Sequence, residues 1–309
     1  MLYSKPLILL ATMACLGGCA STANQPLSVT DNSYSGQTKS AAATTRTATK
    51  TASSTKGERS EQAAEALALA RSLRDSGYYE AATQVYAKAE LDGLLNATET
   101  LEYATVAAEA RSADSALSLF KMAVERLGGF DALSATQAYA ACQGMGRASL
   151  SLHQAGSAKR YFECALKQQP TAIAAMNGLA IANNLLGRPQ QAEALLQRIL
   201  AIEPDNPVAQ NNLALHYLTN QQPQQAIQLL QTIAQPTITQ TLNLALALTL
   251  NQQDQQARAL LQQQFPGDQL EPVWTSLLNT RQAVARGEDL RLLLVSLSKN
   301  LHQLTRSNG

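Results

Sequence analysis

The feature that most constrains the fold is an internal repeat of 34 residues beyond residue 58. With Ala63, Ala97, Tyr139, Ile173, Pro207 and Ile238 as first positions, position 20 is always alanine: Ala82, Ala116, Ala158, Ala192, Ala226 and Ala257. Position 8 is always small, as Ala70, Ala104, Gly146, Ala180, Ala214 and Ala245. Position 24 is always large and apolar, as Tyr86, Phe120, Phe162, Leu196, Leu230 and Leu261. The apolar spacing is helical throughout, so each repeat reads as two helices. A small residue at 8 on the first helix and another at 20 on the second let the backbones approach, while the residue at 24 fills the space beside them. Gly77 and Gly187 lie at the turn between helices, and Pro170 and Pro204, at position 32, end a second helix by lacking an N–H.

These columns closely resemble the tetratricopeptide repeat family over residues 63–267, with the best fit at residues 173–206. The resemblance implies an all-α fold: a right-handed superhelix of about six tetratricopeptide repeats with C-terminal capping helices. Some repeats depart from the pattern. Leu94 and Gly128 stand where the terminal proline is expected, repeat five is three residues short with Pro236 early, and residues 131–138 are inserted after Gly128-Gly129-Phe130. Residues 271–286 and 288–307 read as amphipathic helices covering the last repeat, as a solenoid requires.

The N-terminal part reads as an export signal: Lys5, then an apolar stretch over residues 7–16 that is too short to span a bilayer. It ends in Leu16-Gly17-Gly18-Cys19, which resembles the bacterial lipobox and makes Cys19 the lipidated first residue of the mature chain. Several acyl chains anchor a protein stably without spanning the membrane. The residues after the cysteine, Ala20 and Ser21, lack the aspartate that favours inner-membrane retention, so the expected location is the outer membrane, lipid-anchored and facing the periplasm. The next stretch, as in Thr38-Lys39-Ser40-Ala41-Ala42-Ala43-Thr44-Thr45, is too poor in large apolar residues to bury a core. A flexible segment of that length reaches on the order of 30–40 Å. The expected domains are therefore a lipoprotein signal peptide (1–18), a lipidated flexible tether (19–57), the repeats (58–270) and the capping helices (271–309).

Chemistry finds little support. The three histidines have no acidic or cysteine neighbour at metal-ligand spacing, so no metal and no cofactor is expected. His153 falls at an inter-helix turn and His216 at position 10 of a first helix, both read as surface or turn residues. Gly144-Met145-Gly146 follows no strand, and Gly146 already has a packing role. A net charge of +1 weakens any nucleic-acid role. The expectation is a binding protein with no catalytic residues. Cys142 and Cys164 fall at positions 4 and 26 of repeat three, where antiparallel helices meet, and form either a disulfide or two buried thiols.

Positions 2, 5, 9 and 12 of each first helix line the concave face of such a superhelix. They nominate Gln143, Arg147, Asn177, Ile181, Asn184, Asn211 and Leu215 as a groove for protein partners, with amides for a peptide backbone and apolar pockets for its side chains. Asn212 and Asn243, at position 6, are read as structural.

Lipobox, tether and repeats in that order resemble the TadD family, the tetratricopeptide lipoproteins of the Flp, or tight-adherence, pilus system. The likeness is strongest in Asn211-Asn212-Leu213-Ala214-Leu215, Gln224-Gln225-Ala226-Ile227, Asn243-Leu244-Ala245-Leu246-Ala247 and Gln256-Ala257-Arg258. It implies a scaffold for pilus assembly whose partners belong to the pilus or secretion machinery, an outer-membrane secretin among them. The alternatives are a type IV pilus pilotin and a periplasmic adaptor that recruits cell-wall enzymes.

Overall fold

The computed structural model describes residues 51–265, 267–294 and 297, and among them every regular element is helical. They fall into two compact units that divide between Asn96 and Ala97. No described helix is long and apolar enough to cross a membrane.

The first unit is one hairpin, α1 (Thr51–Asp75) and α2 (Tyr79–Leu91). Leu67 and Ala70 on α1 are buried, as are Ala82, Tyr86 and Ala89 on α2. Arg59 ties the start of α1 to the end of α2, donating from Nη2 to the carbonyls of Gly93 (2.9 Å) and Asp92 (3.2 Å). The helix opens at Thr51, several residues before the domain start expected at 58. Adding a turn to an existing helix costs little, so Ala, Ser and Thr suffice to continue it upstream.

The second unit stacks hairpins in sequence order: α3 (Ala97–Ala110) with α4 (Ala113–Arg126), α5 (Ala135–Ser151) with α6 (Ala155–Gln168), and α7 (Ile173–Leu185) with α8 (Pro189–Ile202). Then follow α9 (Pro207–Thr219) with α10 (Pro223–Gln231), α11 (Ile238–Leu250) with α12 (Asp254–Gln264), and a long helix, α13 (Gly267–Ala285). All six second helices begin at the same offset from the first position of their repeat. The small residues at 8 and 20 and the large ones at 24 are buried in every repeat, none more than 3% exposed among those with a measured value. Each large one contributes roughly 1.5–3 kcal/mol by leaving water.

Local signals set the boundaries. Ser134 and Gln137 form a reciprocal capping box at the start of α5, as do Thr237 and Gln240 at α11. Pro189, Pro207 and Pro223 occupy first turns, where a missing N–H costs nothing. The insert between repeats two and three resolves into a short 3-10 turn, Phe130–Ala132, and an extra turn at the head of α5. The shortening of repeat five falls on α10, which has 9 residues where α8 has 14.

At the inter-helix turn, Gly77 and Gly187 take the left-handed conformation that favours glycine (φ 80° and 68°), and His153, Gln221 and Gln252 adopt it at the same repeat position (φ 60°, 60° and 62°). The buried apolar residues form clusters that each join successive helices: α3, α4 and α5 in one, α5, α6 and α7 in the next, then α7, α8 and α9. The last cluster runs from α9 through Trp274 and Leu277 of α13 to Leu290, Leu294 and Leu297 beyond it. The first expected covering helix is thus present and opens at Gly267, whereas residues 295, 296 and 298–307 of the second lie outside the described residues.

Candidate functional site

The groove candidates separate into two groups when their surroundings are followed along the stack. On α7, residues 175–183 are buried without interruption, because Ala175, Gly178, Ala180 and Ala182 let neighbouring helices close in on every side. Asn177 (5% exposed), Ile181 (6%) and Asn211 (0%) are consequently interior residues and offer no surface to a ligand. Their assignment to an open groove is corrected: these three side chains are covered by the surrounding helices.

The buried amides link the repeats. Asn243 Nδ2 donates to Asn211 Oδ1 (2.7 Å), and Asn212 Nδ2 donates to Asn177 Oδ1 (2.7 Å). A longer bond from Asn211 Nδ2 to Asn212 Oδ1 (3.5 Å) joins the two halves. The result is an asparagine ladder across α7, α9 and α11, in which buried amide groups satisfy one another. Gln210 and Gln240 flank it, donating to the carbonyls of Pro204 and Pro207 (3.0 Å each).

Asn184 is half-buried, and its Oδ1 faces His216 Nδ1 at 3.4 Å. Leu215, also half-buried, packs on the cluster that runs into α13. His216 is only 3% exposed, which corrects its placement at the surface. Its burial pushes the imidazole below its ordinary pKa, against the opposing pull of Glu193. His153 does sit exposed in its turn.

Gln143 and Arg147 are different, being part-exposed on α5. Arg147 Nη1 meets Glu109 Oε1 of α3 at 2.6 Å, and Gln137 Nε2 donates to Thr98 Oγ1 of α3 at 3.4 Å. Gln143 Oε1 is buried between them in sequence without a hydrogen-bond partner. Thr105, Glu109 and Ser151 are exposed nearby in the repeat register. The open, polar part of the first-helix face is therefore on α3 and α5. The Glu109–Arg147 pair could have been sought in the sequence as opposite charges on adjacent first helices, whereas the ladder had no such signal.

Cys142 and Cys164 are joined in a disulfide that bridges α5 and α6, with Cα atoms 5.9 Å apart. Cys19, the lipidation candidate, lies outside the described residues. No cluster of three or more His, Cys, Asp or Glu side chains is placed to hold a metal among the described residues.

Tetratricopeptide repeat family models match residues 144–207 and 185–237. Comparison of the sequence with curated proteins returns no match. Among solved structures, PilW, a widely conserved type IV pilus biogenesis factor, is similar over 66% of this chain and 94% of its own, at 23% identity and a TM-score of 0.54. A tetratricopeptide repeat protein from Parabacteroides merdae is similar over 71% of this chain and 84% of its own, at 16% identity and a TM-score of 0.54. The pilF protein of Pseudomonas aeruginosa is similar over 68% of this chain and 95% of its own, at 16% identity and a TM-score of 0.51. At these identities the likeness is one of fold, and it agrees with the family matches and with the buried columns at positions 8, 20 and 24: the fold is all-α and of the tetratricopeptide repeat type, with the family models matching residues 144–237.

Proposed function

We propose that this chain is an outer-membrane-anchored scaffold that binds protein partners during assembly of a Flp, or tight-adherence, pilus, in the manner of TadD. Lipidated Cys19 holds it at the periplasmic side of the outer membrane, and the repeats engage a secretin or other periplasmic parts of the machine. The observation that carries the binding role is the part-exposed polar face shared by α3 and α5, where the Arg147–Glu109 pair bridges the two helices. Such a face can recognise a peptide through backbone N–H groups and charge. The Cys142–Cys164 disulfide supports an oxidising compartment. The order of lipobox, tether and repeats supports the pilus assignment.

A second reading, a type IV pilus pilotin, is favoured by the fold shared with PilW. Both readings are tested by recovering partners from envelope extract with the full lipidated chain and with a Gln143→Ala plus Arg147→Ala variant. The double variant is expected to lose at least tenfold in partner recovery, equivalent to about 1.4 kcal/mol. Unchanged recovery of the same partner would place binding away from α3 and α5. Secretin multimers that depend on this chain in a strain bearing only a Flp system, or only a type IV system, separate the two.

A further inference from the structure

We infer that repeat two holds a binding site for a zwitterionic amino acid with an aliphatic side chain, in a cavity of about 420 Å³ lined by α3, α4 and the turn between them. Asp114, Ser118 and Met122 follow one another at four-residue intervals, with Leu119 beside them, and so share one face of α4. Arg111 enters from the turn before that helix, and Tyr103 comes from α3. The lining is sorted by chemistry along α4. Arg111 and Asp114 stand at its head, and the half-buried Leu119 and Met122 follow one and two turns on. Tyr103, only 6% exposed, adds a ring to the apolar part.

The two charges at the head are uncommitted. Arg111 and Asp114 are exposed, and among the described residues neither side chain has an ion pair or hydrogen bond, with the other or with any third group. Neighbouring opposite charges do close on each other elsewhere in the chain: Arg74 on Asp75, Arg286 on Glu288 and Arg291 on Asp289, each at 2.8 Å. At the cavity a guanidinium and a carboxylate instead stay apart. A ligand that carries both an anion and a cation satisfies both, whereas a purely anionic or cationic one meets one partner and one like charge.

An α-amino acid has that arrangement. Its carboxylate suits the planar fork of Arg111, its ammonium suits Asp114, and an aliphatic side chain leaves water against Leu119, Met122 and the Tyr103 ring. A charged side chain would lose its hydration there without a partner. The volume is that of a cavity for a small molecule. None of the lining residues belongs to the pair Gln143 and Arg147 on α5, so the site stands whether or not a protein partner binds at that face.

Titrating leucine into the full chain, with isotope-labelled methionine methyl groups read by NMR, tests this. The Met122 signal, assigned from its absence in Met122→Leu, is expected to shift saturably with a dissociation constant of about 1 mM. Met176, buried in repeat four, should not respond. Arg111→Gln and Asp114→Asn, both at exposed positions, should each weaken leucine about fivefold. Leucinamide, which lacks the anion, should bind the unaltered chain as weakly as leucine binds Arg111→Gln. Isocaproate, which lacks the cation, should match leucine on Asp114→Asn. Ser118→Trp, which fills the cavity, should abolish the shift. A Met122 signal unmoved at about 20 mM leucine, undiminished affinity in Arg111→Gln or Asp114→Asn, or leucinamide bound as tightly as leucine would each overturn the inference.

Discussion

Phe162 shows how a single side chain sets the spacing of a stack. Its ring lies against Gly146 of its own repeat and Gly178 of the next, and Phe120 lies in the same way against Gly144. A Cβ added at Gly144, Gly146 or Gly178 would land within the van der Waals envelope of these rings. Where position 24 becomes Leu196 or Leu230, position 6 of the following repeat is Asn212 or Asn243. The two phenylalanines are thus paired with no side chain, and these two leucines with an amide. Gly178→Ala is expected to cost about 1–3 kcal/mol through overpacking, measured by chemical denaturation, and Phe162→Leu in the same chain should recover part of it. Independent, additive losses for the two substitutions would show that ring and glycine are not coupled.

The helices show what was legible in the sequence and what was not. Columns 8, 20 and 24 could be read because they pack within one hairpin or against the next, so spacing along the chain determines their burial. The fate of Asn177, Ile181 and Asn211 could not be read in that way. A polar residue at position 5 looks the same in the sequence whether its side chain is part-exposed, as Gln143 on α5 is, or buried, as Asn177 and Asn211 are. The difference depends on contacts from several elements at once. His216 was misplaced for the same cause, since its partners Asn184, Glu193 and Asn220 come from three elements. The disulfide also belongs to this scale, clamping α5 to α6 across a sequence separation of 22. For a loop of that length its removal is expected to destabilise the hairpin by about 2–4 kcal/mol. Denaturation with and without reductant measures the loss, and thiol counting beforehand should find neither cysteine free.

Across the second unit, stability is assembled from neighbouring contacts, because each hydrophobic cluster joins only successive helices. The asparagine ladder adds a link of longer range, from repeat four to repeat six. Asn211→Ala removes its central member and leaves Asn243 without its acceptor, a loss of about 1–3 kcal/mol. Because the ladder couples repeats, the variant should also unfold less cooperatively, seen as a smaller dependence of stability on denaturant. A lower midpoint with an unchanged slope would mean that the ladder stabilises without coupling. From Asn206 to Gln253 the chain has no Asp, Glu, Lys or Arg, so electrostatic recognition by the stack has to come from elsewhere, and the Arg147–Glu109 region has the charge to provide it.

The pairing of Phe162 with Gly178 also bears on how such a chain can grow or be rearranged. A whole repeat copied into a new place would bring its glycine or asparagine against the wrong neighbour, a phenylalanine meeting an amide or a leucine facing an empty slot. A piece that runs from the second helix of one repeat through the first helix of the next keeps the pairing across the seam but parts Phe162 from Gly146 of its own repeat. One ring thus locks this solenoid in two registers at once, the repeat that alignment reveals and the seam offset from it by half a period.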